Sequence, residues 1–403
     1  MTQNWQFAII RQDNFFYLKG LNFFCLHHVE IMNCIRRLFS SKKRLKGHQD
    51  EIRRYVESLN FDEYSFYPEE SRKSRKQMME EIIQIYREGG EWNIEDAYVH
   101  YMQMGLDRES SCVQEFVFQR EFDMARDSRH ITLAHMLDYK DVTARYLSNA
   151  RLPVSVPLGI VDGEGIFHYN CLNIPFAEWL HSCNIPLFLK PQDGVQGRKC
   201  FELEMQNREG VLSLLLNGLP AERGEMEHQA ANHLVEAKIV QHPEMDVLYP
   251  EAVNTIRFVT LSDSEGIYIY TQFLLVGSNG SNLSNGRTGG IGVGIDRTGM
   301  LNTKGHRNLK SCFGKFHGHP DTGIPFAGFQ IPFFEESCQL ALDAHQLFPG
   351  IHSIGWDIAV TPEGPVIIEA NRDWGTLLHE AIYGGDRERF TEIFCRTAQI
   401  GLH

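Results

Sequence analysis

The stretch Ile354-Gly-Trp-Asp-Ile-Ala-Val-Thr-Pro-Glu-Gly-Pro-Val-Ile-Ile-Glu-Ala-Asn371 reads as a β-hairpin whose turn decides which side chains meet. Thr361-Pro-Glu-Gly364 fits a type I turn with Pro in its second position, closed by a Gly able to take positive φ in a three-residue loop. Thr361 then faces Pro365. Counting back, Val360 faces Val366, Ile358 faces Ile368, Asp357 faces Glu369, Trp356 faces Ala370 and Gly355 faces Asn371, with successive residues on alternate faces. One face is apolar, carrying Trp356, Ile358 and Val360 against Val366, Ile368 and Ala370. The other sets Asp357 directly opposite Glu369, with Asn371 along the same strand and across from the unobstructed Gly355. Like charges opposed across a strand pair destabilise it. At ~4 to 5 Å and an effective dielectric near 20, the repulsion is roughly 3 to 4 kcal/mol. A positive charge belongs between them. One or two carboxylates, an amide oxygen and the phosphates of a nucleotide are the usual surroundings of Mg²⁺. The plain alternative is that both acids are solvated on the wet side of an edge hairpin.

At 403 residues the chain is long enough for two or three domains. A 42% hydrophobic and 23% charged composition is ordinary for a globular protein and argues against wholesale disorder. The net charge of -13 argues against a general nucleic-acid binder, because phosphate affinity comes from Lys and Arg. Nine Cys form no CxxC pair, which suits reduced thiols in the cytoplasm better than a disulfide framework or a zinc ribbon. No apolar run is long enough for a transmembrane helix, and no signal peptide is read at the N-terminus.

Residues 1–130 read as a helical N-terminal region, with helix formers over Ser71 to Glu88 and Asp96 to Met104. Within it, residues 14–46 combine the aromatic Asn14-Phe-Phe-Tyr-Leu-Lys-Gly-Leu-Asn-Phe-Phe-Cys-Leu26 with the basic cluster Arg36, Arg37, Lys42, Lys43, Arg44 and Lys46. That pairing suits peripheral contact with an anionic membrane surface; aromatics packed as core beside a solvated basic run is the alternative. From about residue 131 strands alternate with helices, predicting α/β or α+β layers. Expected strands are Ser155 to Val161, Pro186 to Lys190, Ala237 to Gln241, Ile256 to Leu261, Ile267 to Val276 and the hairpin arms. Expected helices are Asp141 to Asn149 and Phe334 to Leu347. Asn285-Gly-Arg-Thr-Gly-Gly-Ile-Gly-Val-Gly-Ile-Asp296 reads as a loop entering a strand.

Four elements in this region could serve a nucleotide. Lys140 stands just ahead of a helix. Pro186-Leu-Phe-Leu-Lys-Pro-Gln-Asp-Gly-Val-Gln-Gly-Arg-Lys199 runs an apolar strand into Lys190 and a loop with Gly194 and Gly197. The permissive dihedrals of those glycines let backbone N–H groups close over phosphates. The loop lacks the Gly-Lys-Ser/Thr ending of a Walker A motif. Leu234-Val-Glu-Ala-Lys-Ile-Val-Gln-His-Pro243 offers backbone groups and the Glu236 carboxylate to the amino edge of an adenine; an exposed edge strand is the competing reading. Arg257, within Val253-Asn-Thr-Ile-Arg-Phe-Val-Thr260, points away from Ile256 and Phe258 and needs a partner. A carboxylate substrate, a γ-phosphate or a structural Asp or Glu would each suit its planar fork.

In this order the elements resemble the ATP-grasp superfamily, with Glu369 twelve residues after Asp357 and Asn371 two further on, as in its biotin carboxylase-like members. The phrases Gln241-His-Pro, Val253-Asn-Thr-Ile-Arg257, Gly289-Gly-Ile, Gly355-Trp-Asp357 and Glu369-Ala-Asn371 are similar to the sugar-transfer-associated ATP-grasp family, over roughly residues 130 to 395. The resemblance implies an α+β ATP-grasp fold, two subdomains sandwiching ATP. These would span 131–235, with the Lys and Gly-rich loop, and 236–403, with the metal site. It implies phosphate contacts from Lys140 and Lys190, a flexible lid from Gly194 to Gly197, and an adenine framed by Glu236, Lys238 and Ile239. Glu244 would reach the ribose. Asp357, Glu369 and Asn371 would hold Mg²⁺, and Arg257 would steady the transferred phosphoryl group or the acyl phosphate. Arg372 and Trp374 depart from the small residues that many relatives carry there.

The implied reaction is ADP-forming carbon–nitrogen ligation of a small-molecule or glycan carboxylate to an amine, in glycan or sugar-conjugate biosynthesis. A kinase acting on a hydroxyl and a non-catalytic ATP-binding scaffold of a glycan-assembly complex are the rival readings. Phosphoryl transfer needs positioning and charge neutralisation, so no Cys is given a role and His242 and His379 are read as structural. Replacing Asp357 or Glu369 should spare the fold, because the apolar hairpin face is untouched.

Overall fold

The computed structural model describes residues 9–12, 15–18, 52–61, 72–88, 101, 117, 122, 132–192, 199–208, 211–285, 289–307 and 314–400. The chain forms two compact units, residues 1–57 and 58–401. In the first, β1 (Ile9–Gln12) and β2 (Phe15–Leu18) make an antiparallel hairpin. The N-terminal region is therefore not helical throughout, since Ile9, Ile10, Phe16 and Tyr17 are good strand formers. Apart from Phe15–Leu18, the segment 14–46 read as a membrane contact lies outside the described residues. No helix among the described residues is long and apolar enough to cross a membrane.

The second unit opens with α1 (Arg75–Glu88), a 3-10 turn over Thr132–Asp138 and α2 (Lys140–Asn149). One antiparallel sheet follows, made of β3 (Gly159–Val161), β4 (Ile166–Tyr169), β5 (Leu172–Pro175), β6 (Leu187–Pro191), β7 (Phe201–Arg208), β8 (Val211–Leu216), β9 (Leu219–Ala221) and β10 (His233–Ala237). Its spatial order is β5-β4-β3-β10-β6-β7-β8-β9, so β10 is inserted between β3 and β6. Helix α3 (Arg223–Ala230) contributes Met226 and Ala230 to its core, beside Val161, Phe167, Leu189 and Val235. The strand expected over Ala237 to Gln241 thus ends where it was expected to begin. Gln241 is instead buried, donating to the carbonyls of Tyr249 and Ala252 at 3.0 Å each.

A short helix, α4 (Pro243–Leu248), leads to the second antiparallel sheet. Its strands are β11 (Thr255–Asp263), β12 (Gly266–Val276), β13 (Ile291–Gly294), β14 (Gly305–Arg307), β15 (Gly314–Phe316), β16 (Ser353–Thr361) and β17 (Gly364–Asn371), in the order β15-β14-β13-β12-β11-β16-β17. One face takes Ile256, Phe258, Leu274, Ile354, Trp356, Ile358 and Val360, all fully buried, against α5 (Phe334–Gln346). Two further helices, α6 (Leu377–Tyr383) and α7 (Arg387–Ile400), complete the chain, and Leu378 and Ile382 cover Phe273 and Leu275. The observed helices begin and end within a residue or so of the two expected after residue 131.

The hairpin register departs from expectation near its turn and returns to it at the acids. Thr361 pairs with Gly364, so the loop has two residues, and Gly364 takes φ 125°. Pairing then runs Val360 to Pro365, Ala359 to Val366 and Ile358 to Ile367. A bulge at Ile368 adds back the residue that the shorter turn removed, restoring Asp357 opposite Glu369 and Gly355 opposite Asn371. The apolar face is corrected accordingly: Ile367 and Ala370 enter the core, whereas Val366 and Ile368 stay half-buried. The physical cause is a strap. Ile367 donates to the Pro153 carbonyl at 3.0 Å and accepts from the Ser155 N–H at 2.8 Å, pinning that residue to a segment far away in sequence.

Two predictions follow from this packing. Ile367→Ala should cost about 2 to 4 kcal/mol in denaturant unfolding and Ile368→Ala about 1 kcal/mol or less, the reverse of what a three-residue loop requires. His345 is buried between Thr260 Oγ1 at 2.6 Å and the Ile351 carbonyl at 3.0 Å. Burial pulls its pKa from 6.5 down to about 4. The group is held neutral when folded, so its contribution is present above pH 6.5 and is lost as pH falls toward 4. Over that window the wild type should lose stability faster than His345→Asn, by at most about 1.4 kcal/mol per pH unit in denaturant titrations.

Candidate active site

The opposed acids are neutralised by two side chains that the chain brings from elsewhere. Arg257 pairs with Asp357 across β11 and β16, with Nε donating to Oδ1 at 2.5 Å and the guanidinium NH2 donating to Oδ2 at 3.0 Å. Its third arm donates to the Trp374 carbonyl at 3.2 Å. Burial lowers the pKa of Arg257, and the charges of Asp357 and Glu369 overcome that, leaving it above its ordinary value. Lys140, the first residue of α2, holds Nζ 3.6 Å from Glu369 Oε1. Asn371 Nδ2 donates to Asp357 Oδ2 at 3.3 Å, which aims its carbonyl oxygen away from that bond. The positive charge that the register demands is thus supplied in the protein itself. Arg257 serves as the partner of Asp357, and two of its five N–H groups remain for an anion.

A second buried pair lies on the other sheet. Lys190, near the end of β6, places Nζ 2.5 Å from Glu236 Oε1 on β10, with both side chains under 8% exposed. The second oxygen, Oε2, accepts from the Ser155 hydroxyl at 3.0 Å. Glu236 is therefore committed to Lys190 and Ser155. Whether it also faces a base is a matter for the nucleotide-bound state. Lys238 turns to Glu202 at 2.7 Å and Glu204 at 3.5 Å on β7, and its N–H donates to the Pro186 carbonyl. Ile239 follows half-buried, and Glu244 is exposed in the first turn of α4. Gly194 and Gly197 lie outside the described residues.

The two pairs are tied through one segment: the Ser155 N–H donates to the Ile367 carbonyl on the strand of Glu369, and its hydroxyl donates to Glu236. Burial raises the Cys200 pKa to about 11. Among the described residues, Cys171, Cys183, Cys200 and Cys338 are free thiols.

Several residues of the family phrases prove to be scaffold. Asn254, fully buried, donates to the carbonyls of Met245 and Tyr249 at 3.0 and 2.9 Å, and its N–H donates to Gln241 Oε1 at 2.9 Å. His242 caps α4 by accepting the Glu244 N–H, as a structural reading requires. His379 sits 2.8 Å from Thr271 Oγ1 and is buried. Gly355 is fixed by contact: a Cβ there would come within 2.5 Å of the Trp374 Cβ. Trp374 is buried, edge-on to Phe122, with Nε1 donating to Ser353 Oγ. Arg372 pairs with Asp138 at 3.3 Å, which anchors the segment that presents Lys140. The two departures from small residues thus support the site from behind. Ser155, the Trp374 carbonyl and Cys200 were not found from sequence. The one signal for Ser155 was its place between Pro153 and Pro157, which favours extended backbone.

The donor set fits a hard dication. Beyond the Lys140 contact, Glu369 makes no other hydrogen bond or ion pair among the described residues, and its side chain is 31% exposed. A carboxylate with free lone pairs beside an amide oxygen and a second carboxylate is an oxygen-rich surface of the kind Mg²⁺ takes. Because Asp357 also neutralises Arg257, the expectation that either acid can be changed without structural cost is corrected for Asp357. Asp357→Asn should lower unfolding stability by about 1 to 3 kcal/mol, and Glu369→Gln by less than about 1 kcal/mol, in matched denaturant titrations.

Comparison with solved structures gives matches of low identity. The ATP-grasp ligase PsnB complexed with a phosphomimetic variant of minimal precursor, Mg and ADP is 14% identical, with 65% of this chain and 60% of that chain covered and a TM-score of 0.35. The L-amino acid ligase from Bacillus licheniformis is 10% identical, covering 66% and 49%, with a TM-score of 0.36. The D-alanine-D-alanine ligase from Coxiella burnetii is 13% identical, covering 66% and 59%, with a TM-score of 0.34. The chain thus spans about half to three fifths of the length of these proteins. No curated protein matches it in sequence. The family model for sugar-transfer associated ATP-grasp proteins matches residues 180–387, just over half of the chain, and takes in Lys190, Glu236, Arg257, Asp357, Glu369 and Asn371. The chain belongs to the sugar-transfer associated ATP-grasp family.

Proposed function

We propose that this protein is an ATP- and Mg²⁺-dependent, ADP-forming carboxylate–amine ligase, acting on a sugar acid or other glycan-linked carboxylate. The observation that carries the reading is the Asp357, Glu369 and Asn371 face with Lys140 on Glu369, tied through Ser155 to the buried Lys190–Glu236 pair. Family membership supplies the nucleotide, and its name is the ground for the sugar-related role. The nucleotide lies between the subdomains we assign to 131–235 and 236–403.

Lys190 and Lys140 are the two ammonium groups that gather polyphosphate oxygens in this reading. Asp357, Glu369 and Asn371 are the residues that hold the metal. When bound, Mg²⁺ neutralises phosphate charge and orients the phosphates. The γ-phosphoryl group passes to a carboxylate oxygen of the substrate as ADP leaves with the bridging oxygen. The amine then attacks the acyl carbon and loses a proton, and inorganic phosphate departs with the bonding pair. Arg257, held charged and pinned by Asp357, turns its remaining N–H groups toward the oxyanion that develops, where a preorganised donor acts without reorganisation. The backbone of Ala237 to Ile239 reads the adenine edge, and Glu244 reaches the ribose.

Glu369→Gln should reduce Mg²⁺-dependent ATP consumption by about 10²- to 10³-fold while the unfolding transition hardly moves. Pairwise addition of sugar acids and amines, followed by phosphate release, tests the reaction type. A ligase releases phosphate only when both partners are present; a stable phosphorylated product formed without an amine contradicts ligation and supports a kinase. Unaltered turnover in Glu369→Gln contradicts both.

A further inference from the structure

Ser155 lies outside the family-matched residues, yet it touches both halves of the site. Its N–H donates to the Ile367 carbonyl at 2.8 Å, two residues before Glu369 on β17. Its hydroxyl donates at 3.0 Å to Glu236 Oε2, whose partner oxygen holds Lys190 at 2.5 Å. Pro153 and Val154 pair with the same point of β17, and Leu158 donates to the Val235 carbonyl on β10, so the segment 153–158 is pinned to both sheets. An ion pair this buried is stable only where the remaining carboxylate lone pairs are satisfied. Ser155 is the donor to Oε2, while Oε1, which makes no hydrogen bond, has the Lys190 ammonium beside it.

We propose that Ser155 is a positioning residue of the nucleotide site. Its backbone takes its place from the strand that carries Glu369, and its hydroxyl fixes the Glu236 carboxylate and thereby the Lys190 ammonium. The backbone of segment 153–158 ties the two strands together, and the Ser155 hydroxyl sets the direction of the carboxylate that holds the lysine. The inference rests on the nucleotide reading above.

The test compares the full-length wild type with Ser155→Ala, Ser155→Thr and Ser337→Ala, measuring ADP affinity by calorimetry with and without Mg²⁺, and the unfolding midpoint of each. Ser337 is fully buried and donates to the Phe333 carbonyl at 2.7 Å, so its replacement reports the loss of a buried hydroxyl bonded to backbone rather than to a charged group. Ser155→Ala should bind ADP about tenfold more weakly, Ser155→Thr should stay within about twofold of wild type, and Ser337→Ala should bind as wild type. If Ser155→Ala does not fold, Ser155→Cys keeps the size, replaces the hydroxyl by a weak donor and should show the same loss. Wild-type affinity in Ser155→Ala, or an equal loss in Ser337→Ala, overturns the inference and leaves the nucleotide site standing. Absence of ADP binding in the wild type overturns the nucleotide reading itself, and this inference with it.

Discussion

Two carboxylates facing each other across a strand pair are the constraint around which this structure is arranged. The register of β16 and β17 places Asp357 against Glu369, and their repulsion has to be met by positive charge. Arg257 meets it at Asp357 from the neighbouring strand, and Lys140 meets it at Glu369 from the first turn of a helix. Each of these cations needs its own support. Arg257 is anchored to the Trp374 carbonyl, and Lys140 follows a segment tied down by Asp138 and Arg372. Burying Trp374 in turn requires Gly355, because any Cβ there would meet it. One electrostatic demand therefore accounts for much of what surrounds the hairpin.

The two sheets divide the work. The smaller strands of the first hold Lys190 beside Glu236 in a nearly dry environment, where a charged pair keeps its geometry. The second holds the acids on a more open face, where Glu369 is about a third exposed and keeps lone pairs for a further cation. The difference in burial suits the metal-holding and phosphate-holding roles proposed for the two sheets. The buried Gln241 and Asn254 knot, hydrogen-bonded to the carbonyls of Met245, Tyr249 and Ala252, ties α4 to the start of β11.

Local pattern made most of this legible. Alternation identified β11, β12 and the hairpin arms, and α2 and α5 fell where helix formers predicted them. The opposition of Asp357 and Glu369 was read correctly although the turn was one residue shorter than expected, because the bulge at Ile368 compensated. That bulge was not readable: it answers to a strap at 153–155, far from the hairpin in sequence. The same limit hid the partner of Arg257, 100 residues away, and that of Glu236, 81 residues away. Residue type announced that each charge needed a partner, but only the tertiary fold chose which one.

The central claim is that the acidic face of the hairpin receives a divalent cation bound to nucleotide phosphates, within reach of Lys190. Crystals grown with Mn²⁺ and a non-hydrolysable ATP analogue, with the anomalous signal of the metal recorded, test it most directly. The account predicts a peak roughly 2.1 Å from oxygens of Asp357, Glu369 and Asn371, with phosphate oxygens completing the coordination near the Lys190 ammonium. A metal and nucleotide bound elsewhere, with the Glu369 carboxylate still facing only Lys140, would contradict it.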